Sequence, residues 1–154
     1  MTTAEADPTV ELDDLITAWG MLSEAVVAVG MRLAAGLEAA DGLSLPEFDV
    51  LIRLYREPAR MLPLTRLAED VGLTSGGFTK LADRMEHDGL IGRERSRADR
   101  RTVDVFVTDH GWTLTLAALE HHRHDLERAV LAPLGADRLQ TLTDLARTLR
   151  DANR

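Results

Sequence analysis

The sequence predicts a mostly α-helical fold with one small β-hairpin set inside it. Three observations carry that expectation. Apolar residues recur every three or four positions over most of the 154 residues. One run alternates instead: Val103, Val105 and Val107 share a face at the two-residue period of a strand. Between that run and the apolar pair Leu90 and Ile91 lie five arginines, Arg93, Arg95, Arg97, Arg100 and Arg101, in a chain of formal net charge -8. Two helices followed at once by a short basic hairpin is the layout of a winged helix-turn-helix.

The elements follow in chain order. Leu12, Ile16, Trp19, Leu22, Val26, Val29, Leu33 and Leu37 predict a long helix from about Leu12 to Ala40. Leu15, Val27 and Ala34 widen its stripe beyond one packing seam, so the helix is expected to serve its own domain and a second subunit. Ser44 and Glu47 read as a capping box with Pro46 in the first turn, and the helix they start carries Phe48, Leu51, Ile52 and Tyr55 up to Pro58. Leu64, Leu67, Ala68 and Val71 form a third helix closed by Gly72. Thr74 or Ser75 caps a fourth, whose stripe is Phe78, Leu81, Ala82 and Met85. Leu90 and Ile91 open one strand, and Thr102 to Val107 form its partner. Thr108 or Asp109 starts a long helix to about Leu131, and Pro133 and Gly135 separate it from a last helix bearing Leu139, Leu142, Leu145, Ala146 and Leu149. The terminal RDANR is expected to fray.

Composition narrows the function. There is no cysteine, which excludes disulfides, thiolate metal sites and a cysteine-based peroxide sensor. The opening MTTAEADPTVELDD lacks the pattern of a secretory signal, and VVAVGMRLAAGL is interrupted by Arg32, so no membrane span and a cytoplasmic protein are expected. Charge is unevenly spread. Residues 1–50 hold ten acids against the single base Arg32, whereas residues 91–103 hold five arginines against Glu94 and Asp99. A basic hairpin on an acidic body suits DNA, because affinity follows local phosphate contacts and the acidic remainder repels wrong approaches.

The fourth helix supplies the matching surface. Thr74, Ser75, Gly76, Gly77 and Thr79 are small enough to bring its start close to a backbone and its next turn into a major groove, and Lys80 can reach phosphate or a guanine edge. Arg84 can contact phosphate or neighbouring protein acids. Arg95 and Arg97 sit nearest the expected hairpin tip, where a guanidinium can enter a narrow minor groove. Asp99, beside Arg100 and Arg101, reads as a brace holding one arginine while the other faces phosphate.

LAEDVGLTSGGFTKLADRMEHDGLI, followed from Arg93 to Gly111 by R-x-R-x-R-A-D-R-R-T-V-x-V-x-V-T-x-x-G, resembles the multiple antibiotic resistance regulator (MarR) family of bacterial transcription factors. The likeness extends over roughly residues 12–150, and the family's Asp-x-Arg wing pattern falls on Asp99 and Arg101. The resemblance implies one intertwined homodimer over residues 1–154, with dimerisation helices at 12–40 and 109–150 around a DNA-binding lobe at 44–108. It implies binding to a pseudo-palindromic double-stranded operator. It also implies a repressor relieved by a small aromatic or phenolic effector bound between dimerisation helices and lobe. Gly76 and Gly77 leave fewer side chains for base reading than many relatives have, shifting specificity toward Thr79, Lys80 and the wing.

Trp19, Phe48 and Tyr55 are candidate linings of such an effector pocket, although aromatics at helical spacing more often simply fill a core. Arg32 is a candidate partner for an acidic effector or for an interhelical ion pair. His121 and His124 can share a helix face, a weak metal signal without the further ligands zinc needs. No nucleophile elbow, H-E-x-x-H or phosphate loop is present, so neither an enzyme nor a cofactor is expected. The rival readings are a zinc-responsive regulator and a winged helix that binds proteins without operator function.

Overall fold

The computed structural model describes residues 11–96 and 101–153. Its element order is α1 (Leu12–Asp41), α2 (Leu45–Arg56), β1 (Met61–Pro63), α3 (Leu64–Val71), α4 (Ser75–His87), β2 (Ile91–Arg95), β3 (Val103–Val107), α5 (Asp109–Leu126), a π-helical turn (Glu127–Leu131) and α6 (Ala132–Ala152). The expected hairpin is present as β2 and β3, but it belongs to a three-stranded antiparallel sheet of order β1-β3-β2. Met61 pairs with Phe106 and Pro63 with Asp104 along the outer edge of β3. A proline is tolerated there because an edge strand has unpaired donor positions.

Caps set the boundaries. Ser44 donates from both N (2.8 Å) and Oγ (2.6 Å) to the Glu47 carboxylate at the start of α2. Thr74 Oγ1 accepts from Gly77 N at 3.2 Å, and Thr108 Oγ1 accepts from Gly111 N at 3.0 Å. Thr108 also donates to the Gly89 carbonyl at 2.6 Å, locking α5 to the turn between α4 and β2. Gly111 lies so close to the Leu90 carbonyl that a Cβ would collide with backbone, which explains the T-x-x-G spacing.

The core lies inside the lobe. Phe48, Val50, Leu51 and Leu54 from α2 meet Leu67, Phe78, Met85, Ile91 and Val105, and Leu37 and Ala118 extend the cluster into α1 and α5. The two ends of the chain differ sharply from it. Leu12, Leu15, Ile16, Trp19, Val26 and Val27 on α1 are all exposed, as are Leu142, Leu145 and Leu149 on α6.

Three expectations change. Pro133 does not divide the last helices: the helix runs through it by way of the π turn and breaks at Gly135, with φ 73° and ψ 168°. Helix α6 continues to Ala152 rather than fraying at RDANR. Helix α1, with a mean hydropathy of 1.4 over its most apolar 18-residue window, is long and apolar enough to cross a bilayer by length and composition. Arg32 does not interrupt it enough to remove that property.

Candidate nucleic-acid interface

The surface expected to meet DNA starts with the first two turns of α4. Phe78, Leu81, Ala82 and Met85 are buried, which turns Ser75, Gly76, Gly77, Thr79 and Lys80 outward. Thr79 Oγ1 donates to the Ser75 carbonyl at 2.8 Å, which leaves its methyl group and the lone pairs of its hydroxyl oxygen for other contacts. A Cβ on Gly76 would meet nothing within 4 Å, whereas one on Gly77 would come within 3.1 Å of Thr74 Oγ1. The fold therefore has a use for Gly77 and none for Gly76.

Farther along α4 the side chains face inward partners. Arg84 Nε donates to Glu47 Oε1 at 2.8 Å. Of its two expected uses, phosphate or protein acid, the structure places it on the protein acid. Burial opposes ionisation of Glu47, yet the hydrogen bonds from Ser44 and the Arg84 guanidinium outweigh it and hold the carboxyl below its ordinary value. On the other flank Arg93 of β2 reaches Asp83 at 2.5 Å and Glu86 at 2.8 Å. Its side chain is only 20% exposed, and the hydrogen bond to Asp83 raises its pKa, opposed by desolvation and reinforced by Glu86.

The sheet register places the wing. Arg93 lies opposite Val105 and Arg95 opposite Val103. Alternate residues share a face, so Arg95 leaves β2 on the side from which Arg93 reaches α4. Arg95 and Lys80 are both exposed. The ion pairs among the described residues engage Arg84 and Arg93 but neither of these two. Arg101 is exposed just before β3. Arg97, Asp99 and Arg100 lie outside the described residues, so the expected brace at the wing tip does too.

The candidate effector residues do not form one lining in this chain. Phe48 is 1% exposed and packs as core, with its ring centroid 4.8 Å from that of His122. Tyr55, 40% exposed, stacks on Trp112 at 5.3 Å, and the Arg60 guanidinium sits 3.5 Å over the same indole. Trp19 and Arg32 stand exposed on α1. The histidines are engaged by acids: His121 Nδ1 lies 2.9 Å from Asp41 Oδ1, and His124 Nε2 lies 3.1 Å from Glu120 Oε1. Among the described residues no group of three histidine, cysteine or acidic side chains is placed to hold a metal ion.

Sequence reasoning missed the Arg93 bridge, the Tyr55–Trp112–Arg60 stack and the half-buried His122 with its buried Nδ1. The first was half visible: an arginine two residues after Ile91 and acids at 83 and 86 are plain in the sequence. Their meeting depends on how β2 lies against α4.

Three helices packed around one core, the last followed directly by a β-hairpin that carries Arg93 and Arg95, define a winged helix-turn-helix fold. The family description "MarR family" matches residues 43–103, which span α2 to the start of β3. The chain is similar to the HTH-type transcriptional regulator PecS of Dickeya dadantii, at 31% identity over 97 residues, covering 62% of this chain and 57% of PecS. It spans about half the length of the curated relatives it matches. In fold it is similar to AbsC, a MarR family transcriptional regulator from Streptomyces coelicolor. The TM-score is 0.85 at 20% identity, over 96% of this chain and 99% of AbsC. The transcriptional repressor CouR, solved bound to a 23-mer DNA duplex, matches with a TM-score of 0.79 at 25% identity, over 92% of this chain and 98% of CouR. Residues 43–103 thus match the MarR family, and the relatives and solved structures named above are transcriptional regulators of that fold.

Proposed function

We propose that this chain is a sequence-specific, double-stranded DNA-binding transcriptional regulator that acts as a homodimer on a pseudo-palindromic operator. The observation that carries the reading is that Arg95 leaves β2 on the α4-facing side while the first two turns of α4 are exposed and polar. Helix and wing then address one groove and its flanking backbone together. The exposed apolar faces of α1 and α6 support a second copy as partner, because contiguous apolar surface of that extent marks an interface. On this reading α1 is covered by protein in the cytoplasm rather than by lipid.

The output proposed is repression, as the name of CouR states for that protein. Relief would come from a small aromatic or phenolic effector that favours a lobe spacing unable to match the operator. The Tyr55–Trp112 stack at the α2–α5 seam is the exposed aromatic surface best suited to such a ligand.

Selection of duplexes from random DNA, followed by salt-titrated binding, tests the DNA reading. Lys80→Ala and Arg95→Ala are each expected to lower the salt slope by about 1 where phosphate is contacted, or to cost roughly 1–3 kcal/mol at one base position where an edge is read. Sedimentation should show both variants with the oligomeric state of the parent. Normal binding by both variants would remove the proposed surface.

A further inference from the structure

Arg84 and Arg93 look at first like two more DNA-contacting cations, but each is already engaged by acids. Arg84 Nε is on Glu47, a side chain 8% exposed that also caps α2 through Ser44. Arg93 is on Asp83 and Glu86, which stand one turn apart on α4 and so meet a single guanidinium. Residues 83, 84 and 86 of one helix thus carry bonds in two directions, to the start of α2 and to the first strand of the wing.

We infer that Arg93 is a positioning residue: its bridge to Asp83 and Glu86 sets the angle between recognition helix and wing, so that operator affinity depends on two acids that touch no DNA. The inference rests on the DNA-binding reading above and deepens it.

Three facts carry it. The wing joins the lobe through a short sheet whose buried residues are Leu62, Ile91 and Val105, none of them beyond the level of Arg93, which lies opposite Val105. Beyond Arg93 the β2 side chains Glu94 and Arg95 are exposed, so the bridge is the last tie between wing and α4 along that strand. The planar guanidinium presents Nε and Nη2 together, Nε at 3.0 Å from Glu86 and Nη2 at 2.5 Å from Asp83. A fork fixed at two points resists rotation in a way a single point charge does not. A wing that swings by an ångström or two loses the joint register of helix and minor-groove contacts while each contact remains available singly.

The test turns on sign. Asp83→Asn with Glu86→Gln removes two negative charges beside the DNA surface and frees Arg93. Plain electrostatics then demands tighter binding to any duplex. Positioning demands the reverse for the selected operator: roughly tenfold weaker binding, with binding to random duplex unchanged or stronger and the operator salt slope not reduced. Arg93→Lys, which keeps the charge and loses the fork, should reproduce the operator loss. It serves as the second arm if the double variant does not fold by circular dichroism. Operator affinity equal to or above the parent's in whichever variants fold overturns the inference. A parent chain that selects no duplex sequence overturns instead the DNA reading on which it rests.

Discussion

At the scale of single residues, the polar groups buried at the lobe's edge explain more than the exposed ones. Glu47 caps α2 and anchors Arg84, so one carboxylate joins two helices. His122 has no such company. Its Nδ1 is buried without a hydrogen-bond partner among the described residues, and its ring lies against Phe48. Desolvation pushes its pKa below the ordinary imidazole value, partly countered by Asp125. For a base with a lowered folded-state pKa, the unfolded chain binds the proton more readily. Stability is therefore unaffected above about pH 6.5, falls as pH drops below it, and stops falling once the folded-state value is passed. Denaturant titrations at a series of pH values should show that decline in the parent and a shallower one in His122→Phe. Identical slopes would show that the acid sensitivity arises elsewhere.

At the scale of elements, legibility in the sequence tracked how local the cause was. Ser44, Thr74 and Thr108 start their helices through bonds to residues three positions away, so the sequence located the first and narrowed the others to Thr74 or Ser75 and Thr108 or Asp109. The face of α4 was equally plain from Phe78, Leu81, Ala82 and Met85. Strand β1 was not, because Met61, Leu62 and Pro63 are too few to show a period and pair only with the distant β3. The break in the last helices was expected at Pro133 and Gly135 together; the helix runs through Pro133 by a π turn that the sequence does not announce, and Gly135 takes the positive φ. The bridge at Arg93 joins residues on two elements, and its geometry comes from packing. Gly76 offers a test at this scale. An alanine there finds open space and a better helix former, so Gly76→Ala is expected to leave stability unchanged or to raise it by up to about 1 kcal/mol. If α4 presses its first turn against a DNA backbone, the same methyl should weaken duplex binding. Thermal melts and binding isotherms on one preparation would separate the two effects, and unaltered binding would show that the first turn stands off the duplex.

At the scale of the whole molecule, the distribution of burial sets the lobe apart from the helices that carry it. The core is concentrated between α2 and β3, and α1 contributes only Leu37 to its fully buried members. A lone α1 leaves Ile16 at 59% and Trp19 at 65% exposure, a burden that a second copy would relieve by covering both termini together. Burying one large apolar side chain is worth roughly 1.5–3 kcal/mol, so several on each copy suffice to hold a pair. Placing a charge in that seam should therefore separate the copies without disturbing the lobe. Ile16→Lys combined with Leu145→Lys is expected to shift sedimentation toward the monomer at micromolar concentration while the lobe keeps its helical signal. Operator binding should fall far more than binding of a half-site, because a monomer grips one half and forfeits the effective concentration that linkage confers on the other. A charged pair of variants that still sediments as the parent does would mean that the apolar faces of α1 and α6 are covered by something other than each other's copy.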